Sequence, residues 1–178
     1  MRVPLDLPDR LRTRRLVLGP LCVDDADAWR AAIDASDEHL RPWIPFMASE
    51  PRSAAATRAY LASFADARRE GKALRYALRV PDQVHLLGEV MFLATDEPGL
   101  LEVGYWLHVD HTGRGLASEA LDAALEVVGR RSGVSAVCFR CETGNQRSWA
   151  LPAGRGATRV LVEPLDGGRS LETWRLPA

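Results

Sequence analysis

The feature that most constrains the fold is a turn with two glycines, Gly113 and Gly115, placed between a predicted strand and a predicted helix. Residues 101–109 are predicted to form the strand, and residues 116–131 repeat apolar side chains at helical spacing. A second predicted strand, at residues 136–142, follows the helix. A strand–helix–strand unit of this kind requires two parallel strands joined by a right-handed crossover. The sequence therefore predicts a parallel strand pair within a larger sheet.

The same turn suits an anion. Glycine has no Cβ, so the backbone can curl and several N–H groups can converge on one point. The N-terminus of the following helix adds unpaired N–H donors and partial positive charge, and Arg114 stands between the two glycines. The turn is typical of a pyrophosphate cradle, but an ordinary tight connection between a strand and a helix explains it equally well.

Two common phosphate-binding patterns are excluded by the sequence. A P-loop requires a lysine directly after its second glycine, and the one lysine of the chain, Lys72, lies elsewhere. A dinucleotide-binding turn requires a third glycine three residues after the second, and Ser118 stands at that position. The turn belongs to neither class.

The rest of the chain is predicted to add antiparallel strands and helices around this unit. Short turns join the strands at 74–80, 84–95 and 101–109, so these three should be antiparallel neighbours. The segment 39–46 is broken twice by proline, and it forms either a small additional core cluster or a wall of a substrate pocket. Further predicted elements are strands at 11–18, 157–165 and 170–176, and helices that begin near Ala26, Ala54 and Gln146. Together they predict one α/β (α+β) domain over residues 1–178, with a mixed, mostly antiparallel sheet flanked by helices.

Composition and charge exclude several classes of protein. The chain has 23 Lys and Arg against 24 Asp and Glu, so it lacks the positive excess that non-specific nucleic-acid binding needs. Its three cysteines, Cys22, Cys138 and Cys141, are too few for a disulfide framework, and no second cysteine pair completes a zinc site. No apolar run approaches the ~20 residues of a membrane span, and the N-terminus lacks the apolar core of a signal peptide. We therefore expect a cytoplasmic protein that uses no metal, no nucleic acid and no membrane.

Several short motifs follow one another in an informative order. Residues 112–117 fit the pattern R/Q-x-x-G-x-G/A, with Thr112 in the place of Arg or Gln, and Asn145-x-x-Ser148 opens a predicted helix after the second parallel strand. The other characteristic stretches are residues 11–18, 24–26, 41–43 and 102–107. Taken together, nearly the whole chain resembles the GNAT superfamily of CoA-dependent N-acetyltransferases, in its RimJ/RimL-type branch.

The resemblance implies where a co-substrate lies. Acetyl-CoA would occupy a V-shaped split between the parallel strands at 101–109 and 136–142. The pantetheine arm would pair with backbone groups of Leu107, His108 and Val109. The pyrophosphate would be held by backbone N–H groups of Thr112, Gly113, Arg114, Gly115, Leu116 and Ala117, and the rest of the arm by Asn145 and Ser148.

The resemblance also implies a reaction, the transfer of an acetyl group to a primary amine. Ser148 resembles the hydroxyl that assists the leaving thiolate in this branch. Glu102 and Glu89 are the candidate bases that would take a proton from the amine. The histidines are weaker candidates: His108 lies on the first parallel strand, and His39, His85 and His111 look no better.

The acceptor and the activity itself have alternatives at this point. A protein N-terminal amine predicts an open, acidic groove, whereas a small amine or an antibiotic predicts a closed pocket. A third alternative is an acyl-CoA-binding module without turnover, because Pro152 stands where many relatives have a tyrosine and should disrupt the last helix. The expected partners are an acyl-CoA, an amine acceptor and, in a homodimer, a second copy of the chain.

Overall fold

Eight strands form one sheet and five α-helices cover it, within the residues that the computed structural model describes, which are Leu5 and residues 7–178. The strands are β1 (Leu11–Arg12), β2 (Val17–Pro20), β3 (Ala73–Arg79), β4 (Gly88–Ala94), β5 (Leu100–Leu107), β6 (Ala136–Glu142), β7 (Thr158–Pro164) and β8 (Ser170–Pro177). The α-helices are α1 (Ala26–Ala35), α2 (Asp37–Leu40), α3 (Ala54–Arg69), α4 (Leu116–Gly129) and α5 (Gln146–Ala153). Short 3₁₀ turns cover Val23–Asp25, Pro45–Ser49, Val109–His111 and Asp166–Gly168. In this described part of the chain, no helix is long and apolar enough to cross a membrane.

The sheet contains a parallel pair that separates after a short contact. The strand order is β1-β2-β3-β4-β5-β6-β8-β7, and β5 runs parallel to β6 while the other neighbours are antiparallel. Residues 100–102 of β5 pair with residues 136–138 of β6, and no pairing follows Glu102. The carboxyl half of β5 therefore faces a gap in the sheet. This arrangement confirms the predicted mixed sheet with a parallel pair.

Two predicted strands differ from the structure. The strand predicted at 11–18 is a hairpin of β1 and β2, because the Leu16 N–H donates to the Thr13 hydroxyl at 2.9 Å and closes a tight turn. The strand predicted at 84–95 begins only at Gly88, whose φ is +153°. A Cβ at Gly88 would lie 2.2 Å from the Trp106 carbonyl oxygen, so a glycine is required where β4 begins.

The sheet has an apolar core on each face. Alternate residues of β5 point in opposite directions, so Leu101 and Val103 pack with α4, whereas Trp106 packs with α1 and α3. The α4 side includes Leu116, Ala120, Leu121, Ala124, Val128 and Phe139. The other side includes Trp29, Ile33, Leu61, Phe64 and Ala77. Both cores hold β5 in the centre of the molecule.

Glu89, one of the two predicted bases, is a buried structural carboxylate. Its side chain is 1% exposed and accepts hydrogen bonds from Arg75 Nη1 at 2.7 Å and from Trp106 Nε1 at 3.0 Å. The Arg75 guanidinium also lies over the Phe64 ring, 4.2 Å from its centre. These contacts tie β3, β4 and β5 together beneath α3, which gives the acidic residue on β4 a reason other than catalysis.

We expect Glu89→Gln to lower the free energy of unfolding by about 3 kcal/mol, because it leaves Arg75 without its counter-charge in a mostly buried site. Urea denaturation measures the difference. Glu102→Gln is the matched control on the neighbouring strand, and its effect should stay within about 0.5 kcal/mol. Equal effects of the two substitutions would contradict the structural role of Glu89.

Candidate active site

A cavity of about 770 Å³ opens where β5 and β6 diverge. Four parts of the chain line it: the end of β5, the glycine turn with the start of α4, the start of α5, and α2 with the loop that follows. The lining residues of β5 and the turn are Tyr105, Trp106, Leu107, Thr112, Gly113, Gly115, Leu116, Ala117 and Ser118. The opposite walls contribute His39, Leu40, Trp43, Ile44, Gly144, Asn145, Gln146, Arg147, Ser148 and Leu151. The volume is in the range of sites that hold cofactors and small substrates.

The gap beside β5 exposes backbone groups that a strand-like ligand can pair with. The His108 N–H donates to the Leu87 carbonyl at 2.8 Å, so His108 points toward β4. Pairing alternates along an antiparallel strand, and the N–H and C=O of Tyr105 and Leu107 therefore point toward the gap. Val109 donates its N–H to Ser36 Oγ at 3.1 Å. Of the three residues expected to bind pantetheine, Leu107 lines the cavity, whereas His108 and Val109 use their N–H groups elsewhere.

The glycine turn forms an open cradle at the N-terminus of α4. Gly113 and Gly115 both have φ of +73°, and Gly115 is the N-cap of the helix. A Cβ at Gly113 would have no heavy atom within 4 Å, so the space that a ligand would occupy is free. Thr112 also lines the cavity, but its N–H donates to the Val109 carbonyl at 3.2 Å. The N–H groups of the first turn of α4 remain as donors.

The β1–β2 turn holds this cradle in place. Arg15 Nη1 donates to the Arg114 carbonyl at 2.8 Å, and Arg15 Nε donates to Glu119 Oε2 at 2.6 Å. Burial would raise the pKa of Glu119, but hydrogen bonds from Thr13 and Arg15 outweigh burial and lower this pKa to about 2. The Arg114 side chain is exposed and does not line the cavity. Arg114 thus contributes its backbone, fixed by Arg15, to the turn.

Ser148 lies at the start of α5 beside a tyrosine from β5. The Asn145 side chain caps α5 by accepting the Ser148 N–H at 3.3 Å. Tyr105 Oη donates to the Ser148 carbonyl at 2.7 Å, and Ser148 Oγ donates to Tyr105 Oη at 3.4 Å. Burial raises the pKa of Tyr105 to about 12, so its phenol stays protonated. A hydroxyl in this position can donate to a group that lies in the gap.

The helix that carries Ser148 continues through Pro152. A proline supplies no N–H to the carbonyl four residues earlier, which here is the carbonyl of Ser148. Tyr105 donates to that carbonyl instead, and α5 extends from Gln146 to Ala153. The prediction that Pro152 disrupts this helix is wrong, because a side chain from another strand replaces the missing backbone bond.

Comparisons with known proteins decide the family. The Acetyltransferase (GNAT) domain family matches residues 15–158. An Escherichia coli protein named [ribosomal protein uS5]-alanine N-acetyltransferase is 30% identical over 151 residues, which cover 83% of this chain and 77% of the relative. The chain belongs to the GNAT acetyltransferases. It is therefore a CoA-dependent N-acetyltransferase, with acetyl-CoA as its co-substrate.

Solved GNAT structures share the fold at lower sequence identity. A RimL ribosomal L7/L12 alpha-N-protein acetyltransferase in complex with coenzyme A superposes with a TM-score of 0.83 at 20% identity, covering 96% of this chain and 97% of the other. RimJ of Mycobacterium smegmatis, in complex with CoA-disulfide, superposes with a TM-score of 0.78 at 20% identity, covering 92% and 82%. These likenesses confirm the predicted RimJ/RimL-type GNAT fold.

The two predicted bases of this GNAT protein lie outside the cavity lining. Glu89 is held by Arg75 and Trp106, as described above. Glu102 lies on the face of β5 that also carries Trp106, but it is near the start of the strand and does not line the cavity. The Glu102 side chain makes no hydrogen bond or ion pair with the residues that the structure describes. The sequence alone could not show that these two carboxylates lie outside the cavity lining.

Other cavity residues were missed or left undecided by the sequence. Trp43 lines the cavity and packs over Gly144, where a Cβ would lie 3.5 Å from its ring, so the proline-broken segment does form a pocket wall. In the sequence, the large aromatic side chain of Trp43 between two prolines already indicated that this segment could form a pocket wall. His39 and Arg147 also line the cavity. His39 begins the segment 39–46 and was only a weaker candidate base, and Arg147 lies between Asn145 and Ser148 and had no predicted role. No group of three His, Cys, Asp or Glu side chains in the described part of the chain could hold a metal ion.

We expect Gly115→Asp to weaken CoA binding by more than tenfold, which requires only ~1.4 kcal/mol. The aspartate adds a negative charge at the N-cap of α4, next to the N–H groups that would hold the phosphates, and its Cβ would lie 3.5 Å from Arg15 Nη2. Calorimetric titration with CoA measures the affinity. Gly71→Asp is the matched control, since Gly71 also has positive φ (+64°), with nothing within 4 Å of an added Cβ, and lies outside the cavity. Unchanged affinity in folded Gly115→Asp would overturn the cradle.

Proposed function

We propose that this acetyltransferase modifies the α-amino group at the N-terminus of a protein. The observation that carries the proposal is the charge of the cavity wall. None of its described lining residues is acidic, and Arg147 adds a positive charge. Such a wall disfavours a bound ammonium, and an α-amine, with a pKa near 8, loses its proton far more easily than a lysine, with a pKa near 10.4. The difference is worth about 3 kcal/mol at neutral pH.

The names of the relatives support the same acceptor class. The curated relative is named for an alanine of ribosomal protein uS5, and the RimL structure is described as an alpha-N-protein acetyltransferase of L7/L12. The absence of acidic groups from the described lining departs from the acidic groove that a protein acceptor predicted. An acceptor amine that loses its proton at low cost does not need an acidic groove. We include a cytoplasmic location in the proposal, since ribosomal proteins are made there and Cys22, Cys138 and Cys141 are all free.

Within this proposal, different groups of the chain bind the co-substrate and assist the reaction. The N–H groups at the start of α4 hold the pyrophosphate, and the backbone of Leu107 pairs with the pantetheine arm. Asn145 fixes the first turn of α5 and thereby places the Ser148 hydroxyl. Acetyl-CoA supplies the activated acyl group, and Ser148 donates a proton toward the sulfur that leaves. The helical course of α5 to Ala153 weakens one of the two grounds for a module without turnover, while the other, Pro152 in the place of a tyrosine, still stands.

A panel of acceptors tests the acceptor class. Peptides with a free N-terminal Ala or Ser, the same peptides acetylated at the N-terminus but carrying a lysine, and small polyamines and aminoglycosides are each incubated with acetyl-CoA. Free thiol and peptide mass are measured, and succinyl-CoA is run in parallel for the acyl group. We expect acetylation of the free N-terminal peptides alone. Preferred acetylation of the blocked lysine peptides or of the small amines would overturn the proposal.

We expect Ser148→Ala to lower the turnover number by about 10²-fold, since assistance by a proton donor is typically worth 10²–10⁴ and water replaces part of it. The CoA dissociation constant should change less than the turnover number, because the hydroxyl acts on charge that develops as sulfur leaves. Ser170→Ala, on β8 and outside the cavity lining, is the matched control. If only the Michaelis constant of Ser148→Ala changes, Ser148 is a binding residue.

We also propose that the protein forms a homodimer through β7. This strand is the last of the sheet, and its three central side chains are about half exposed: Val160 at 54%, Leu161 at 50% and Val162 at 49%. An edge strand offers unpaired N–H and C=O groups to another strand. Antiparallel pairing of two copies about Leu161 would bring the apolar residues 160–162 of each copy against those of the other. Arg159 and Glu163 would keep their pairs with Glu172 and Arg140 inside each copy, and the bulge between Arg159 and Leu161 lies at this contact.

We expect Leu161→Glu to convert the dimer to a monomer, because two carboxylates would then face each other at the symmetry axis. Sedimentation velocity at several protein concentrations measures the mass. Val84→Glu is the control, since Val84 is 82% exposed and lies outside every strand. A parent protein that remains monomeric at high concentration, or a dimer unaffected by Leu161→Glu, would contradict this interface.

A further inference from the structure

We infer that His39 is the general base that takes a proton from the acceptor amine. The inference rests on the proposed function, because it assigns a role within that reaction. From the sequence His39 was a weaker candidate than the two carboxylates, but neither carboxylate lines the cavity and His39 does.

Elimination among the cavity-lining side chains leads to His39. Of the described residues that line the cavity, three have a titratable side chain: His39, Tyr105 and Arg147. Arginine keeps its proton at any pH at which a protein works. Burial raises the pKa of Tyr105 to about 12, so the phenol also keeps its proton. His39 is therefore the described lining group that can accept a proton near neutral pH.

The His39 ring is free to do so. Its backbone N–H donates to the Ser36 carbonyl at 3.0 Å, but neither ring nitrogen hydrogen-bonds to a residue that the structure describes. By contrast, His108 Nδ1 already accepts the Asp110 N–H at 3.2 Å. Burial, and then the positive charge of Arg147, hold the pKa of His39 below its usual value. The ring is thus neutral at pH 7.

The charged groups around His39 favour this state. Arg147 approaches it from α5, across the cavity. On its own helix, the carboxylate of Asp37 is paired with Arg41 and is not available to stabilise an imidazolium. A proton taken up by His39 is therefore passed on readily, which a base must do once per cycle.

The position of His39 fits the path of an acceptor. It lies on the wall formed by α2 and the following loop, together with Leu40 and Ile44, whereas the glycine cradle lies on the α4 side. A CoA held along β5 and the α4 N-terminus leaves the α2 wall for the acceptor. An amine that enters there meets the imidazole on its way to the gap.

The proton balance of the step is simple. The acceptor ammonium gives one proton to a His39 nitrogen and becomes a neutral amine. Its nitrogen then bonds to the acyl carbon while the carbon–sulfur bond breaks. The second amine proton replaces the one that Ser148 donates to sulfur, so the products are an amide and a free thiol. His39 returns its proton to solvent.

The test combines a titration with a rate profile, and His39→Gln is compared with His85→Gln, a change at an exposed histidine outside the cavity. In the first part, NMR follows the imidazole signals of the CoA-bound protein with pH. The His39 signal should titrate at lower pH than an ordinary imidazole, whose pKa is near 6.5. A His39 ring still protonated at pH 7 overturns the inference, whether or not any acceptor is acetylated.

In the second part, the turnover number is measured from about pH 6 to 9.5 with saturating acetyl-CoA and N-terminal peptide. At about pH 6.5, His39→Gln should be about 10²-fold slower than the parent, at the lower end of the usual range for a general base. Near pH 9 it should recover to within about threefold, because an α-amine of pKa near 8 is then neutral unaided. His85→Gln should follow the parent throughout.

The outcomes separate this inference from the proposed function. If the parent acetylates peptides and His39→Gln keeps the parent profile, the inference fails and the function stands. If Glu102→Gln shows the recovery at high pH and His39→Gln does not, Glu102 is the base, acting through water. If the parent acetylates no peptide of the panel, the proposed function fails and takes the role of His39 with it.

Discussion

The short parallel contact between β5 and β6 is the constraint on which the site depends. Three pairs hold the strands together, and beyond Glu102 the sheet stays open. Unpaired backbone groups inside a protein are costly unless water or a ligand can reach them. Here they border a large cavity, and the glycine turn and the first turns of α4 and α5 open onto the same space. Backbone N–H groups from several elements therefore face the same gap, where a ligand can bind to them.

Three largely buried carboxylates fix the framework of this protein. Glu89 joins three strands through Arg75 and Trp106. Glu119 joins the first hairpin to the helix behind the cradle. Glu172 on β8 accepts from Trp174 and from Arg159 on the edge strand. A carboxylate can accept several N–H bonds at once, and arginine and tryptophan supply the donors. The cavity is left without such a group among its described lining residues.

The parts of the fold that follow from local patterns were predictable. The crossover, the antiparallel neighbours and the Ser53 cap of α3, where the Ala56 N–H donates to Ser53 Oγ at 3.1 Å, depend on residues close in sequence. The hairpin at residues 11–18 could not be predicted, because apolar and polar residues alternate there as in a single strand, and the turn depends on a hydrogen bond to the Thr13 hydroxyl. The glycine cradle could be predicted because backbone geometry requires glycine at positive φ. The roles of Glu89 and His39 could not, because each is decided by partners far along the chain.

The bond between Tyr105 and the Ser148 carbonyl has a consequence for the shape of the gap. Pro152 lacks the N–H that would bond to the Ser148 carbonyl within α5, and the Tyr105 hydroxyl from β5 donates to that carbonyl instead. This hydrogen bond joins the two walls of the gap. Because the tyrosine side chain has a fixed length, it sets the distance between β5 and α5. Any residue other than proline at position 152 would offer an N–H to the Ser148 carbonyl, so that carbonyl would no longer depend on Tyr105 for a donor.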